Sequence, residues 1–141
     1  MWVECLRQNG YQSFQEIGGG YYDKEGKELK IGSWVELIDF GRNKQVKFNG
    51  QYQNGYKIGI WNISSSEYSQ DLCKQIGIGW YDERGSKHGK WVELDENSAR
   101  YKMINLYLNS ESQITYQGEY NNGQKVGLWN LYWSDLIKNK N

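Results

Sequence analysis

The chain has 141 residues, with 17 basic and 17 acidic side chains and one histidine. A formal net charge of zero removes any global pull toward nucleic acid or acidic substrates, and the length suits one domain with its own core. With 17 Gly, 12 Tyr and 7 Trp but no Pro and a single Ala, Ala99, the composition favours pleated strands and leaves helices a minor part.

The first residues, MWVECLRQNG, lack the basic segment and apolar run of a secretory signal. No stretch approaches the roughly 18–20 apolar residues of a membrane span. Trp2 to Ile17 is a step of 15, as is Trp61 to Ile76, so residues 1–16 resemble the end of a repeat unit. Cys5 and Cys73 match neither a metal-ligand spacing nor a disulfide framework, which points to a reducing compartment. The triplet Asn62-Ile63-Ser64 fits a glycosylation acceptor, but without an export signal it reads as chance. The expectation is an intracellular, cytoplasmic or cytoskeletal protein that is not secreted.

Internal repetition is the strongest signal. From Ile17 the chain reads IGGGYYDKEGKELKIGSWVEL, and from Ile76 it reads IGIGWYDERGSKHGKWVEL, the two differing by a two-residue gap. From Phe48 it reads FNGQYQNGYKIGIWNI, and from Tyr116 YQGEYNNGQKVGLWNL, with no gap. The predicted organisation is one repeat domain over 1–141: a partial unit (1–16), a two-part unit (17–75), a second (76–133) and a polar tail (134–141). Between the halves lie residues 38–47 and 95–115; the second connection has enough apolar residues for a short helix or an additional strand.

Asn54-Gly55 and Asn122-Gly123 lie between alternating segments, the pattern of a two-residue hairpin turn. Counting outward from those turns pairs Tyr52 with Lys57, Gly50 with Gly59 and Phe48 with Trp61. The second copy pairs Tyr120 with Lys125, Gly118 with Gly127 and Tyr116 with Trp129. Facing glycines have no side chain to pack, so Gly50, Gly59, Gly118 and Gly127 are expected to leave bare backbone under a bulky group from the next hairpin. With Arg84-Gly85 at the turn of the 76–94 segment, Asp82 would face Lys87, Trp80 would face Gly89 and Ile78 would face Trp91. The reverse faces of the returning strands carry Ile58 and Ile60, or Val126 and Leu128. The predicted fold is all-β: tandem hairpins in an elongated, twisted antiparallel sheet, with long connections and at most a short helix. Lys-x-Gly-x-Trp, which occurs at 30–34, 57–61, 87–91 and 125–129, reads as its building block.

The phrase YxGxYxNGxKxGxW at 116–129, with Phe for the first Tyr at 48–61, resembles the MORN repeat. The resemblance implies stacked β-hairpins with an aromatic-lined groove, and a scaffold that dimerises, tethers cytoskeletal or ciliary structures or lies near membranes. Two stretches match well and two more weakly, over about half the chain. The chain departs from the family in having Gly-x-Trp where Gly-x-Gly is frequent, and in the wider spacing of its units. The two-part unit is also similar to tandem-repeat proteins of ciliated protozoa, which implies the same setting.

Catalytic chemistry finds no candidate. His88 occupies the slot of Ile31, Ile58 and Val126, and nothing in the sequence gives it a partner or a pocket. Asp23 matches Asp82, and Glu36 matches Glu93; repeated carboxylates of this kind satisfy turns or flank exposed strands more often than they hydrolyse a substrate. Gly18-Gly19-Gly20 and Gly77-Ile78-Gly79 precede strand-like residues rather than the helix a phosphate loop requires. No enzyme, cofactor or metal is expected. The binding candidate is a stripe of Tyr52, Lys57, Trp61, Tyr120, Lys125 and Trp129, joined by Lys30 and Lys87 in a row of repeated lysines. Its bland reading is that each lysine lies along an aromatic ring or pairs with an acid. Three functions follow: a structural subunit with protein partners, a module for lipid head groups or glycans, or an accessory domain to a catalytic chain. The first is preferred, with a membrane surface as the less favoured partner and no nucleic acid.

Overall fold

The computed structural model describes residues 16–39, 44–67, 70–94 and 113–134. They form eight strands: β1 (Gly19–Tyr22), β2 (Lys30–Asp39), β3 (Lys44–Gln53), β4 (Tyr56–Glu67), β5 (Gln70–Tyr81), β6 (Lys87–Leu94), β7 (Gln113–Asn121) and β8 (Gln124–Ser134). Every strand pairs antiparallel with its neighbours in chain order, giving one open sheet of order β1 to β8, with no helix among the described residues. Such a meander joins strands adjacent in sequence, and among the described residues Gly- and Asn-containing turns make four of its seven connections.

Much of segment 38–47 is strand, because β2 runs to Asp39 and β3 begins at Lys44. Of segment 95–115 only 113–115 are described, and they open β7. The helix or strand expected over the rest of it, the partial unit at 1–15 and the tail from 135 lie outside the described residues.

The turns occupy the expected sites. Asn54 and Asn122 adopt φ of 49° and 48°, and Gly55 and Gly123 of 81° and 79°, the left-handed pair of a tight hairpin turn. Each turn also docks on the hairpin before it: Gly55 N–H donates to Lys30 O at 3.0 Å and Gly123 N–H to Lys87 O at 2.9 Å. The wider loops close on aspartates. Asp23 accepts from the amides of Glu25, Lys27 and Leu29, and Asp82 from those of Arg84 and Ser86.

The registers hold near the turns and then slip. Tyr52 faces Lys57 and Tyr120 faces Lys125, as counted from the sequence. Beyond them a bulge opens between Asn49 and Gln51, and another between Gln117 and Glu119. Phe48 therefore faces Ile63 rather than Trp61, and Tyr116 faces Leu131 rather than Trp129. The cause is the left-handed φ of 65° at Gly59 and Gly127, which inserts extra residues into the returning strand. In the third hairpin the Asp82 loop moves the register by one, so Tyr81 faces Lys87 and Trp80 faces His88, and a bulge between Ile78 and Trp80 then puts Ile78 across from Val92.

Candidate interaction surface

Lys-x-Gly-x-Trp is one device used four times. Its glycines, Gly32, Gly59, Gly89 and Gly127, have φ between 65° and 69° with open space where a Cβ would be. These positions therefore set backbone shape. Gly59 and Gly127 do not receive a bulky group, contrary to the expectation from facing glycines. An undistorted strand would place a lysine about 13 Å from a tryptophan four residues later. With the bulge between them, the ammonium Nζ reaches the indole: 4.3 Å from the ring centre for Lys30 on Trp34, 4.1 Å for Lys57 on Trp61, 4.6 Å for Lys87 on Trp91 and 4.1 Å for Lys125 on Trp129.

The packing glycines are those on the outgoing strands. Trp34 covers Gly20, Trp61 covers Gly50, Trp91 covers Gly79 and Trp129 covers Gly118, each so closely that a Cβ would lie 2.1 to 2.4 Å from the indole. The covering ring comes from the same hairpin's returning strand, not from the next hairpin as the sequence suggested. Only glycine permits this approach.

On the face so formed, aromatic rings contact one another edge to face, one from each strand: Tyr22, Trp34, Tyr52, Trp61, Tyr81, Trp91, Tyr120 and Trp129. Successive ring centres are 5.0 to 6.1 Å apart, the range in which perpendicular aromatic pairs attract. Tyr52, Trp61, Tyr120 and Trp129 of the sequence-derived stripe all belong to this ladder. Tyr22 and Tyr81 were missed, although each precedes the turn aspartate in the aligned phrases YYD and WYD.

Two carboxylates organise the lysines. Glu36 accepts Lys30 Nζ and Tyr52 Oη on Oε1, and Lys57 Nζ on Oε2, all at 2.7 Å. Glu93 repeats the arrangement with Lys87 at 2.6 Å, Lys125 at 2.9 Å and Tyr120 at 3.0 Å. Burial alone would raise the Glu36 pKa, but hydrogen bonds from Lys30, Lys57 and Tyr52 outweigh it and hold the carboxyl down at about 2. Glu93 is lowered by its lysines and tyrosine in the same way, against the same cost of burial. Burial and the adjacent Glu36 carboxylate push the Tyr52 phenol up; burial, then the charges of Glu36 and Glu93, push Tyr81 up to about 12. The sequence pairs Glu36 with Glu93 through the repeated WVEL, but neither repeat shows that each gathers three partners.

Groups held in this way make poor proton acceptors near neutral pH, since each carboxylate is strongly favoured as the anion. Among the described residues no group of three or more His, Cys, Asp or Glu is placed to hold a metal ion. His88 sits on the reverse face, edge-on to Trp80 at 5.5 Å. No helix of the described residues is long and apolar enough to cross a membrane.

No family model, curated protein or solved structure matches the chain.

The reverse face has a different character. Ile60 lies directly across from Trp80, and Ile78 across from Val92; Ile60, Trp80 and Ile78 are exposed, as are Val126, Leu128 and Tyr132 on β8. One face of the sheet is thus closed by its own rings and ion pairs, while the other carries exposed apolar side chains.

Proposed function

We propose that the chain is a non-catalytic structural subunit that makes protein–protein contacts within a larger assembly. The observation that carries this reading is the exposed apolar patch of Ile60, Trp80 and Ile78 on the face opposite the ladder. Exposed Trp and Ile on rigid strands suit a hot spot at a protein interface, because little side-chain freedom remains to be lost on binding. The engagement of Glu36 and Glu93 as ion-pair hubs further supports a non-catalytic role. A MORN-like identity rests on the repeated YxGxYxNGxKxGxW phrase, and a cytoskeletal or ciliary, intracellular setting rests on that resemblance.

The alternative is a β module that recognises lipid head groups or glycans through the aromatic and lysine stripe. It has less support, because all four repeated lysines already contact a carboxylate.

The test is gentle recovery of the tagged chain from its native cells, beside an Ile60→Glu/Trp80→Glu variant, with mass spectrometry of the companions. Stoichiometric structural proteins found with the wild type and lost with the folded variant are expected. Recovery of the chain without any protein companion would sink this reading, and lipid and glycan arrays would then test the alternative.

A further inference from the structure

The exposed apolar side chains at the middle of the reverse face form a stripe, and polar side chains border it on both sides. Trp80 of β5 lies across from Ile60 of β4 and His88 of β6. One step along β5, Ile78 lies across from Asn62 and Val92. Ile60, Trp80 and Ile78 are the exposed members; Asn62, His88 and Val92 are half-buried. The next strand on either side is polar on this face. Asn49 and Gln51 of β3 sit across from Asn62 and Ile58, and Gln117 and Glu119 of β7 sit across from Val92 and Lys90. All four border side chains are exposed.

This shape limits what can cover the stripe. Strands stand about 4.8 Å apart, so β4 to β6 span about 10 Å and the polar borders are about 19 Å apart. An α-helix with its side chains is about 10–12 Å across, and its apolar side is a stripe of similar width. A second sheet laid face to face would also cover β3 and β7. It would bury four polar side chains, each at a cost unless it finds a partner. The available area also weighs against a second copy of the chain. Ile60, Trp80 and Ile78 are 60%, 42% and 39% exposed. Even at ~250 Å² per side chain they offer about 350 Å², against roughly 800 Å² per partner in a stable interface. That suits one element of a partner.

Charge narrows the choice further. Lys47 of β3, across from Ser64, and Lys90 of β6 flank the stripe on this face. Neither belongs to an ion pair among the described residues. Glu119 is the one carboxylate on either bordering strand. Both flanks therefore offer an ammonium group to an acidic side chain arriving beside the stripe.

We propose, on the reading that this face is a protein contact, that the stripe seats an amphipathic α-helix of a partner. The helix lies along β5 with its apolar side on Ile60, Trp80 and Ile78, and with acidic side chains on its flanks toward Lys47 and Lys90. The polar rows of β3 and β7 stay in water on either side of it.

The test is photo-crosslinking of the full 141-residue chain in extract of its native cells, with p-benzoylphenylalanine at Trp80 in one variant and at Ile78 in another. Both positions are exposed, so the variants should fold with unchanged far-ultraviolet circular dichroism. The two positions are about 6.7 Å apart along β5, a distance spanned by about four or five residues of a helix but about two of a strand. Captured residues about three to five apart in one partner segment, flanked by Asp or Glu, are expected. Lys90→Glu should lower the yield about 2- to 5-fold, and Lys90→Arg should keep it. Captured residues about two apart, or residues of a second copy of this chain, would overturn the helix and leave the protein contact standing. A yield unmoved by Lys90→Glu would overturn the acidic flank. Capture of no protein at either position, by variants that remain folded, would remove the contact itself and the helix with it.

Discussion

The indole of Trp61 occupies the space that a side chain on Gly50 would need, with a Cβ at Gly50 lying 2.4 Å from the ring. Gly59, opposite in the hairpin as counted from the sequence, has open space instead and a left-handed φ of 65°. The two glycines are therefore needed for different reasons. Gly50→Ala should displace the indole and cost about 3 kcal/mol, the upper range of overpacking. Gly59→Ala should cost about 1–2 kcal/mol from backbone strain alone. Gly59→Asn should recover much of that, since Asn54 and Asn122 already hold similar angles. Urea denaturation of the three variants gives the order, and an equal cost for both alanines would refute this division of roles.

Acid should loosen the fold through Glu36. Its folded pKa of about 2 lies below the ordinary value of 4.5, so its contribution is present above 4.5 and is lost as pH falls from there toward 2. Discounted for its partial exposure to solvent, the loss is about 1–2 kcal/mol. Glu93, lowered by the same kind of partners, adds to it in the same direction. Melting temperature measured from pH 7 to pH 2 should show this decline, and Glu36→Gln should flatten it. An unchanged acid limb in that variant would mean that Glu36 does not carry the effect.

Tyr52 serves both the ladder and the charge cluster, and the two roles can be separated. Tyr52→Phe keeps the ring between Trp34 and Trp61 but removes the 2.7 Å hydrogen bond to Glu36. The loss should be about 1–2 kcal/mol, because the acceptor is charged and keeps both lysines. The Glu36 pKa should also rise toward 4.5, so the acid limb should shrink and end at a higher pH. A variant with wild-type stability and an unmoved acid limb would show that the hydroxyl contributes nothing to the cluster.

Class, hairpin order and turn positions were legible because the repeats align and Asn-Gly dictates a local geometry. Register beyond the turns was not, since Gly59 and Gly127 look like strand residues until their left-handed φ is known. A bulge moves every later pair, which is why Phe48 lies across from Ile63 instead of Trp61. The lysine row was visible as a pattern, but its neutralisation depends on Glu36 and Glu93 lying two strands away from Lys57 and Lys125, across β3 and β7. Sequence spacing does not convey such a cross-strand contact. The ladder was half visible: the repeated Trp marked it, whereas Tyr22 and Tyr81 lay in strand-like phrases outside the stripe.

The ladder should be weaker at its β8 end than at its centre. Trp61 meets the rings of Tyr52 and Tyr81, is 1% exposed, and donates Nε1–H to Gln51 O at 3.3 Å. Among the described residues Trp129 meets only the ring of Tyr120, and its buried Nε1 finds no acceptor. Trp61→Phe loses packing on two sides and a hydrogen bond, a cost of about 2 kcal/mol. Trp129→Phe loses one ring contact and removes an unsatisfied N–H, so its cost should stay below about 1 kcal/mol. In a sheet where each hairpin contacts only its neighbours, the damage should also stay local. Hydrogen exchange at a concentration where the chain is monomeric should show β8 amides exchanging before those of β4 and β5. Trp129→Phe should speed exchange in β7 and β8 and leave β4 and β5 unchanged. Equal acceleration across all eight strands would mean that the sheet opens as one unit and that the ladder transmits the loss from its edge to its centre.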